Sequence, residues 1–119
     1  MTNGRPVISP HFPYLRVTLV IQGQTFEFDA LLDTGFDGYA ALPLGLVSAD
    51  TPVDEVAVWR MADGRRVEAP MYRAQIHIAS MEVSDGVVTV LGDEPIVGLA
   101  LVRHFLVTLD HGRRVIVEP

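Results

Sequence analysis

Asp33 is the acidic residue best placed for catalysis in this chain, as the first residue of the tripeptide Asp33-Thr34-Gly35. Three apolar residues precede it, so a strand running through them would deliver a carboxylate to a buried strand end. Such a carboxylate must be paired, hydrogen-bonded or protonated, because a lone buried charge is costly. Thr34 can donate a hydroxyl hydrogen bond, and Gly35 permits a close backbone approach. The tripeptide therefore suits an acid held in a tight loop that donates hydrogen bonds to it; an ordinary turn is the alternative.

Other carboxylates are weaker candidates for a partner to Asp33. Asp29 lies four residues earlier on the same predicted strand, which puts it on the same face but more than about 10 Å away. Asp37 directly precedes Gly38, and Asp110 precedes His111-Gly112; both positions are typical of solvated turns. A cation site formed by Asp29, Asp33 and Asp37 is a further, weaker hypothesis.

The remaining composition excludes several kinds of chemistry. The chain has no cysteine, which excludes disulfides, thiol nucleophiles and thiolate metal sites. Its four histidines lack metal-ligand spacing, so we expect no metal and no cofactor. Nine basic against fifteen acidic residues give a net charge of −6, which argues against nucleic-acid binding. No secretory signal and no apolar run long enough for a membrane span is visible, so we expect a cytoplasmic protein.

The segments that must position Asp33 are mostly β-prone. The 119 residues, 49% of them apolar, suffice for one domain with a core. Three prolines mark residues 1–13 as an extended arm, which leaves residues 14–119 as a single domain. Only residues 98–105 have helical spacing. Turns are predicted at 23–24, 63–64, 84–86 and 111–112, and strands at 14–22, 25–32, 53–61, 66–78, within 81–91, 106–110 and 113–117.

Residues 31–35 (LLDTG) resemble the catalytic loop of the retropepsin-like aspartic proteases, the single-domain relatives of pepsin. Residues 95–99 (PIVGL) resemble the second signature of that family, in which two apolar residues and a glycine lead into a short helix. The predicted hairpin at Asp63-Gly64 lies between them, where the family has its flap. Phe36 after the tripeptide is similar to a prokaryotic branch of the family.

The resemblance implies an all-β fold: a small closed β-barrel of the acid-protease type with one short helix near the C-terminus. It also implies a homodimer, because one chain supplies one catalytic loop and the reaction needs two carboxylates. Thr34 would reach across to the partner loop, and residues 113–117 would contribute to the dimer sheet. The expected function is aspartic endopeptidase activity on a peptide or protein substrate, with a water activated between two Asp33 carboxylates.

Site residues follow from the same resemblance. Asp33 is the expected catalytic residue, supported by Thr34, Gly35 and Gly98. Trp59 and Met61 would contact substrate or anchor the hairpin to the core, and core packing is favoured for both. The expected flap and substrate-binding residues are Phe36, Trp59, Met61, Ala62, Asp63 and Gly64. A plain surface hairpin is the alternative to a flap.

A non-enzymatic function is the main alternative. A dimerisation or ligand-binding module could retain this fold, with Phe36 filling the cleft and the charged hairpin serving as a docking surface. Asp33 would then be a structural, hydrogen-bonded acid.

Overall fold

A computed structural model describes residues 6–119 of the chain. The fold is mostly β, with 56% strand and 4% helix. Within the described residues the elements are β1 (Val7–Ser9), β2 (Tyr14–Ile21), β3 (Gln24–Leu32), β4 (Ala40–Leu42), β5 (Glu55–Arg60), β6 (Arg66–Ile78), β7 (Met81–Val90), β8 (Ile96–Val97), α1 (Leu99–Val102), β9 (Leu106–Asp110) and β10 (Arg114–Glu118).

The larger sheet has the strand order β2-β3-β8-β4-β7-β6-β5 and curls back on itself. β2 also pairs with β6, through the register Thr18 to His77 and Val20 to Gln75. Six strands thereby form a ring, and β5 extends from β6 outside it. The hairpin of β5 and β6 projects from the ring because the first part of β6 pairs only with β5.

The smaller sheet joins the two ends of the chain, in the order β1-β10-β9. β1 pairs antiparallel with β10, with Val7 opposite Val117. The predicted arm of residues 1–13 therefore contains a strand of this sheet, while residues 1–5 of the arm lie outside the described part of the chain.

The core fills the inside of the ring. Alternate residues of β2 point inward, and Leu15, Val17, Leu19 and Ile21 are all buried, as the period of two along a strand requires. Burying one aliphatic side chain of this size stabilises the fold by about 1.5–3 kcal/mol. The apolar residues that define the strands thus also hold the ring closed.

Two local predictions need correction. The turn predicted at residues 84–86 is absent, because β7 runs unbroken from Met81 to Val90. Gly86 serves close packing there: a Cβ at Gly86 would lie 2.6 Å from Cδ1 of Ile76 on the neighbouring strand. The helix is also shorter than predicted, four residues rather than 98–105, because the chain turns after it and packs Phe105 against the core.

α1 is the only helix in residues 6–119. The described residues contain no helix that is long and apolar enough to cross a membrane.

Candidate active site

The loop that carries Asp33 begins where β3 ends. β3 pairs in parallel with β8, and the backbone N–H of Asp33 continues this pairing by donating to the carbonyl of Val97 at 2.9 Å. Oδ1 of Asp33 accepts a hydrogen bond from the backbone N–H of Gly35 at 2.9 Å. The side chain is half-buried, whereas Thr34 and Gly35 are exposed. The carboxylate is therefore oriented by its own loop and remains accessible.

Glycine is favoured at the two positions that pack against this loop. A Cβ on Gly35 would lie 3.1 Å from Oδ1 of Asp33 and would press on the carboxylate. Gly98 lies beneath the loop, where a Cβ would be 2.3 Å from the carbonyl oxygen of Phe36 and 2.7 Å from that of Gly38. The N–H of Leu99 donates to the same Phe36 carbonyl at 2.8 Å. This bond holds the start of α1 tightly against the Asp33 loop.

The β5–β6 hairpin ends in a turn that uses its own charged side chains. The N–H of Met61 donates to the carbonyl of Arg65 at 2.8 Å, and Gly64 has a φ of +87°. Asp63 accepts a hydrogen bond from the Arg65 N–H at 3.0 Å and pairs with the Arg65 guanidinium at 2.6 Å. The Arg65 backbone N–H and then its side chain lower the pKa of Asp63. The charges of Asp63 and Arg65 are therefore matched within the turn.

A cleft of about 340 Å³ separates the hairpin from the Asp33 loop. The structure brings six of the sequence-predicted site residues to its walls: Asp33, Gly35, Phe36, Trp59, Met61 and Ala62. The other four are not among its lining residues. Thr34 is exposed beside Asp33, Asp63 and Gly64 form the hairpin tip, and Gly98 lies beneath the loop.

Charged residues that the sequence analysis did not select also line the cleft. Arg60 lies at the end of β5, and Asp93 and Glu94 lie in the segment between β7 and β8. Glu94 accepts a hydrogen bond from the hydroxyl of Tyr14 at 3.3 Å, and its charge raises the pKa of Tyr14. The only signal for Asp93 and Glu94 in the sequence was their position next to residues 95–99. The cleft contains more acidic than basic side chains.

Trp59 is anchored at the edge of the cleft by two neighbours. Its ring lies against Phe36, with centroids 5.1 Å apart and the planes tilted by 44°. Its indole N–H donates to Oγ1 of Thr89 at 3.1 Å, and the Thr89 hydroxyl donates to the carbonyl of Pro70 at 3.2 Å. Thr89 was not selected from the sequence because one threonine within a long strand has no distinguishing pattern. Trp59 is partly buried, and it therefore both anchors the hairpin to β7 and lines the cleft.

The cation site considered for Asp29, Asp33 and Asp37 is not formed. Asp29 instead points to Arg16 on the paired strand, at 3.4 Å. No group of three histidine, aspartate or glutamate side chains within residues 6–119 could hold a metal ion. Asp110 lies at the β9–β10 turn, where His111 has a φ of +53°.

Taken together, the site offers one oriented carboxylate in an open cleft, with a hairpin opposite it and an aromatic pair at one side. An accessible carboxylate can take a proton from water or donate one to a carbonyl oxygen, according to its protonation state. Comparison with family models and with curated proteins found no match to the chain.

Proposed function

We propose that the chain is an aspartic endopeptidase that works as a homodimer, with Asp33 of each copy as the catalytic residue. In this proposal the six-stranded ring is a closed barrel of the retropepsin type, and the β5–β6 hairpin is its flap. The substrate is a peptide or protein held in the cleft. Water and the two carboxylates carry the reaction, without a cofactor.

The observation that carries the proposal is the convergence of three separate sequence elements on one cleft. Residues 31–35 provide Asp33, residues 95–99 provide Ile96, and the hairpin turn provides Met61 and Ala62. The first two elements are joined directly by the hydrogen bond from the Asp33 N–H to Val97. These are the elements on which the resemblance to the retropepsin-like proteases rests, so their convergence supports it.

The chemistry needs a second carboxylate, and the partner copy supplies it. Two carboxylates about 3 Å apart cannot both ionise, so the Asp33 pair shares one proton. The ionised carboxylate takes a proton from water, whose oxygen attacks the peptide carbonyl carbon, while the other carboxyl gives its proton to the carbonyl oxygen. Transfer of a proton to the amide nitrogen then breaks the C–N bond and releases a carboxylic acid and an amine.

Two features of the chain support dimer formation. Thr34 and Gly35 are exposed beside a half-buried Asp33, so a second copy can approach the loop from solvent. The smaller sheet exposes apolar side chains on its outer face, including Ile8 and Leu106. A two-fold axis would make each of these surfaces contact its own copy.

The first experiment compares peptide-library cleavage by the wild type, Asp33→Asn and Asp93→Asn from acidic to neutral pH. Asp93 is the matched control because it is a carboxylate of the same cleft. We expect Asp33→Asn to lower kcat/KM by about 10³-fold and Asp93→Asn to retain most activity. Equal cleavage by wild type and Asp33→Asn, or no cleavage by a folded wild-type dimer, would contradict the proposal.

A mixing experiment tests whether two copies share one site. Asp33→Asn protein is added to an equal amount of wild type, and the two proteins are allowed to exchange subunits. The two chains carry different tags, so that sedimentation can verify the exchange. Random assortment places about half of the wild-type chains in mixed dimers, which have only one Asp33 carboxylate. Activity per wild-type chain therefore falls by about half. Unchanged activity after verified exchange would show that one chain is sufficient.

The second candidate function is a non-enzymatic binding or dimerisation module. The contact between Phe36 and Trp59 favours it, because two large rings occupy the boundary between the loop and the hairpin. In that case Asp33 is a structural acid, and the dimer binds peptides without cleaving them. The comparison of wild type with Asp33→Asn separates the two candidates, because only the enzyme loses an activity.

A further inference from the structure

β5 lies at the end of the seven-stranded sheet, and within residues 6–119 it pairs only with β6. We propose that its open edge is an interaction surface for a second copy of the chain, which adds its own β5 in antiparallel orientation. This contact goes beyond the proposed function, because it involves neither Asp33 nor the smaller sheet. Three properties of β5 support it: the direction of its backbone groups, its exposed apolar side chains and the distribution of its charges.

The pairing with β6 determines which backbone groups of β5 are free. Bonded and non-bonded residue pairs alternate along an antiparallel ladder. Met61 opposite Arg65 is a bonded pair, since the Met61 N–H donates to the Arg65 carbonyl at 2.8 Å. The alternation then makes Val56 opposite Pro70 a non-bonded pair, and proline has no N–H to donate there. The N–H and carbonyl groups of Val56 and Val58 therefore point away from β6, to the open side of the sheet.

The middle of β5 lacks the usual protection of a strand edge. Proteins cover such edges, or place lysine, proline or a bulge on them, because an open edge can pair with another chain. Residues 56–59 of β5 read Val-Ala-Val-Trp. Val56 and Val58 lie on the same face of the strand and are 58% and 61% exposed. The edge therefore offers free backbone groups and apolar side chains together.

The order of residues in β5 favours one register of self-pairing. Residues opposite each other in an antiparallel pair lie on the same face of the sheet, and a two-fold axis normal to the sheet preserves the faces. With Ala57 at the axis, Val56 lies opposite Val58 of the second copy, and symmetry repeats this pair. An axis at Val56 would instead place Val58 opposite Asp54, and an axis at Val58 would place Val56 opposite Arg60. Only the register centred on Ala57 pairs every exposed valine of β5 with another valine.

The charges at the two ends of β5 are complementary in this arrangement. Asp54 directly precedes the strand, Glu55 is its first residue and Arg60 is its last. All three residues are exposed. Antiparallel pairing puts the acidic start of each strand beside the basic end of the other, whereas parallel pairing would put like charges side by side. The charge pattern thus fits a second, antiparallel copy of the same strand.

The contact is expected to be reversible. One short strand from each copy covers less than the roughly 1,200 Å² at which stable interfaces begin, so the association is transient. Where the dimer of the proposed function is present, pairing through β5 links two dimers. In Leu106→Arg, which is designed to lack that dimer, it links two single chains. In both cases the observable effect is an increase in mass with protein concentration.

Hydrogen exchange at single amides tests the contact directly. In one copy the amides of Val56 and Val58 face solvent, whereas those of Ala57 and Trp59 are bonded to β6. At protein concentrations that pair two thirds of the chains, we expect protection of the two valine amides to rise about threefold over dilute protein. The measurement is made on wild type and on Leu106→Arg. No rise at the valines up to millimolar protein, or an equal rise at all four amides, would overturn the proposal.

Charge substitutions test the register. Val56→Lys/Val58→Lys places like charges opposite each other around Ala57, and Val56→Lys/Val58→Glu places opposite charges at the same two positions. Val53→Lys is the control, on a valine that lies outside β5 and is 48% exposed. In sedimentation velocity we expect the like-charged variant to associate at least about tenfold more weakly than the other two. Thermal melts establish that each variant is folded. Equal association of the like-charged and oppositely charged variants would overturn the proposal.

Peptide cleavage separates this contact from the proposed function. Asp33→Asn leaves β5 intact, so we expect it to associate as the wild type does while its cleavage is lost. Protection of the Val56 and Val58 amides in a wild type that cleaves nothing would refute the peptidase and keep the contact. Cleavage by a wild type whose valine amides exchange at the same rate at every concentration would refute the contact and keep the peptidase.

Discussion

The indole N–H of Trp59 and the hydroxyl of Thr89 form a hydrogen bond of 3.1 Å that ties the projecting hairpin to the ring. Trp59 belongs to β5, outside the ring, and Thr89 belongs to β7, within it. Thr89 is 1% exposed, so its hydroxyl has no access to water as a substitute partner. The bond is therefore a side-chain link between the hairpin and the ring, in addition to the continuous backbone of β6.

Thr89→Val is expected to lower the free energy of unfolding by about 1–3 kcal/mol, because it leaves the indole N–H and the Pro70 carbonyl without their partner. Trp59→Phe removes the donor and is the partner variant for a double-mutant cycle. The measurement is urea denaturation at one fixed protein concentration, because the stability of the proposed dimer would depend on concentration. Additive losses in the double variant would show that the two side chains do not interact.

Gly98→Ala is expected to destabilise the fold by about 1–3 kcal/mol through overpacking. Three atoms would lie within 3.0 Å of the new methyl group, two of them carbonyl oxygens of the Asp33 loop. Gly112→Ala is the control, since its φ of +66° imposes strain while its surroundings are open. We expect both substitutions to lower the melting temperature, and only Gly98→Ala to reduce peptide cleavage. Equal cleavage activity in the two variants would show that Gly98 does not support the Asp33 loop.

The pH dependence of stability should include a contribution from Asp110. Hydrogen bonds from His111 and then Arg114 hold the pKa of Asp110 below its ordinary value of 3.8. Because the folded pKa is the lower one, this contribution is present above about pH 3.8 and is lost as pH falls through the folded value. We expect Asp110→Asn to melt at a lower temperature than the wild type at neutral pH, and the difference to shrink in acid. A difference independent of pH would contradict this assignment.

The outer face of the smaller sheet is expected to form part of the interface of the proposed dimer. Ile8 lies opposite Ile116 on that face, and Ile8 and Leu106 are 53% and 60% exposed. Ile8→Arg or Leu106→Arg should convert the proposed dimer to monomers in sedimentation velocity, because both would place a charge in an apolar contact. Leu44→Arg is the control, at a loop position that is 89% exposed. An intact dimer in both variants would place the interface on another surface.

Much of the fold could be predicted where local pattern and final structure agree. The predicted strand at residues 66–78 has the bounds of β6, and the predicted strand at 106–110 has those of β9. β4 and β8 were missed because they have three and two residues, too few for any period, and exist only through their pairing in the ring. Hydrophobic periodicity reports on one strand and its faces and carries no information on distant partners.

The residues of the candidate site likewise divide into those that a local sequence pattern indicates and those that only the folded chain brings together. Asp33 could be found because an apolar run stops at a carboxylate followed by two turn-forming residues. Arg60 and Glu94 could not, because their place in the cleft depends on the projection of the hairpin and on the path between β7 and β8. The fit of Gly98 beneath Phe36 likewise involves atoms far apart in the chain.

The contact that completes the ring is a seam of three residue pairs, from Thr18 to Val20 on one side. Its central pair, Leu19 and Ile76, is among the most deeply buried in the protein. Separating these three residue pairs therefore exposes the middle of the core, and a small local fluctuation is not sufficient to separate them. The backbone amides of these residues should exchange their hydrogens only when the whole molecule unfolds. Their hydrogen-exchange rates should therefore report the free energy of global unfolding.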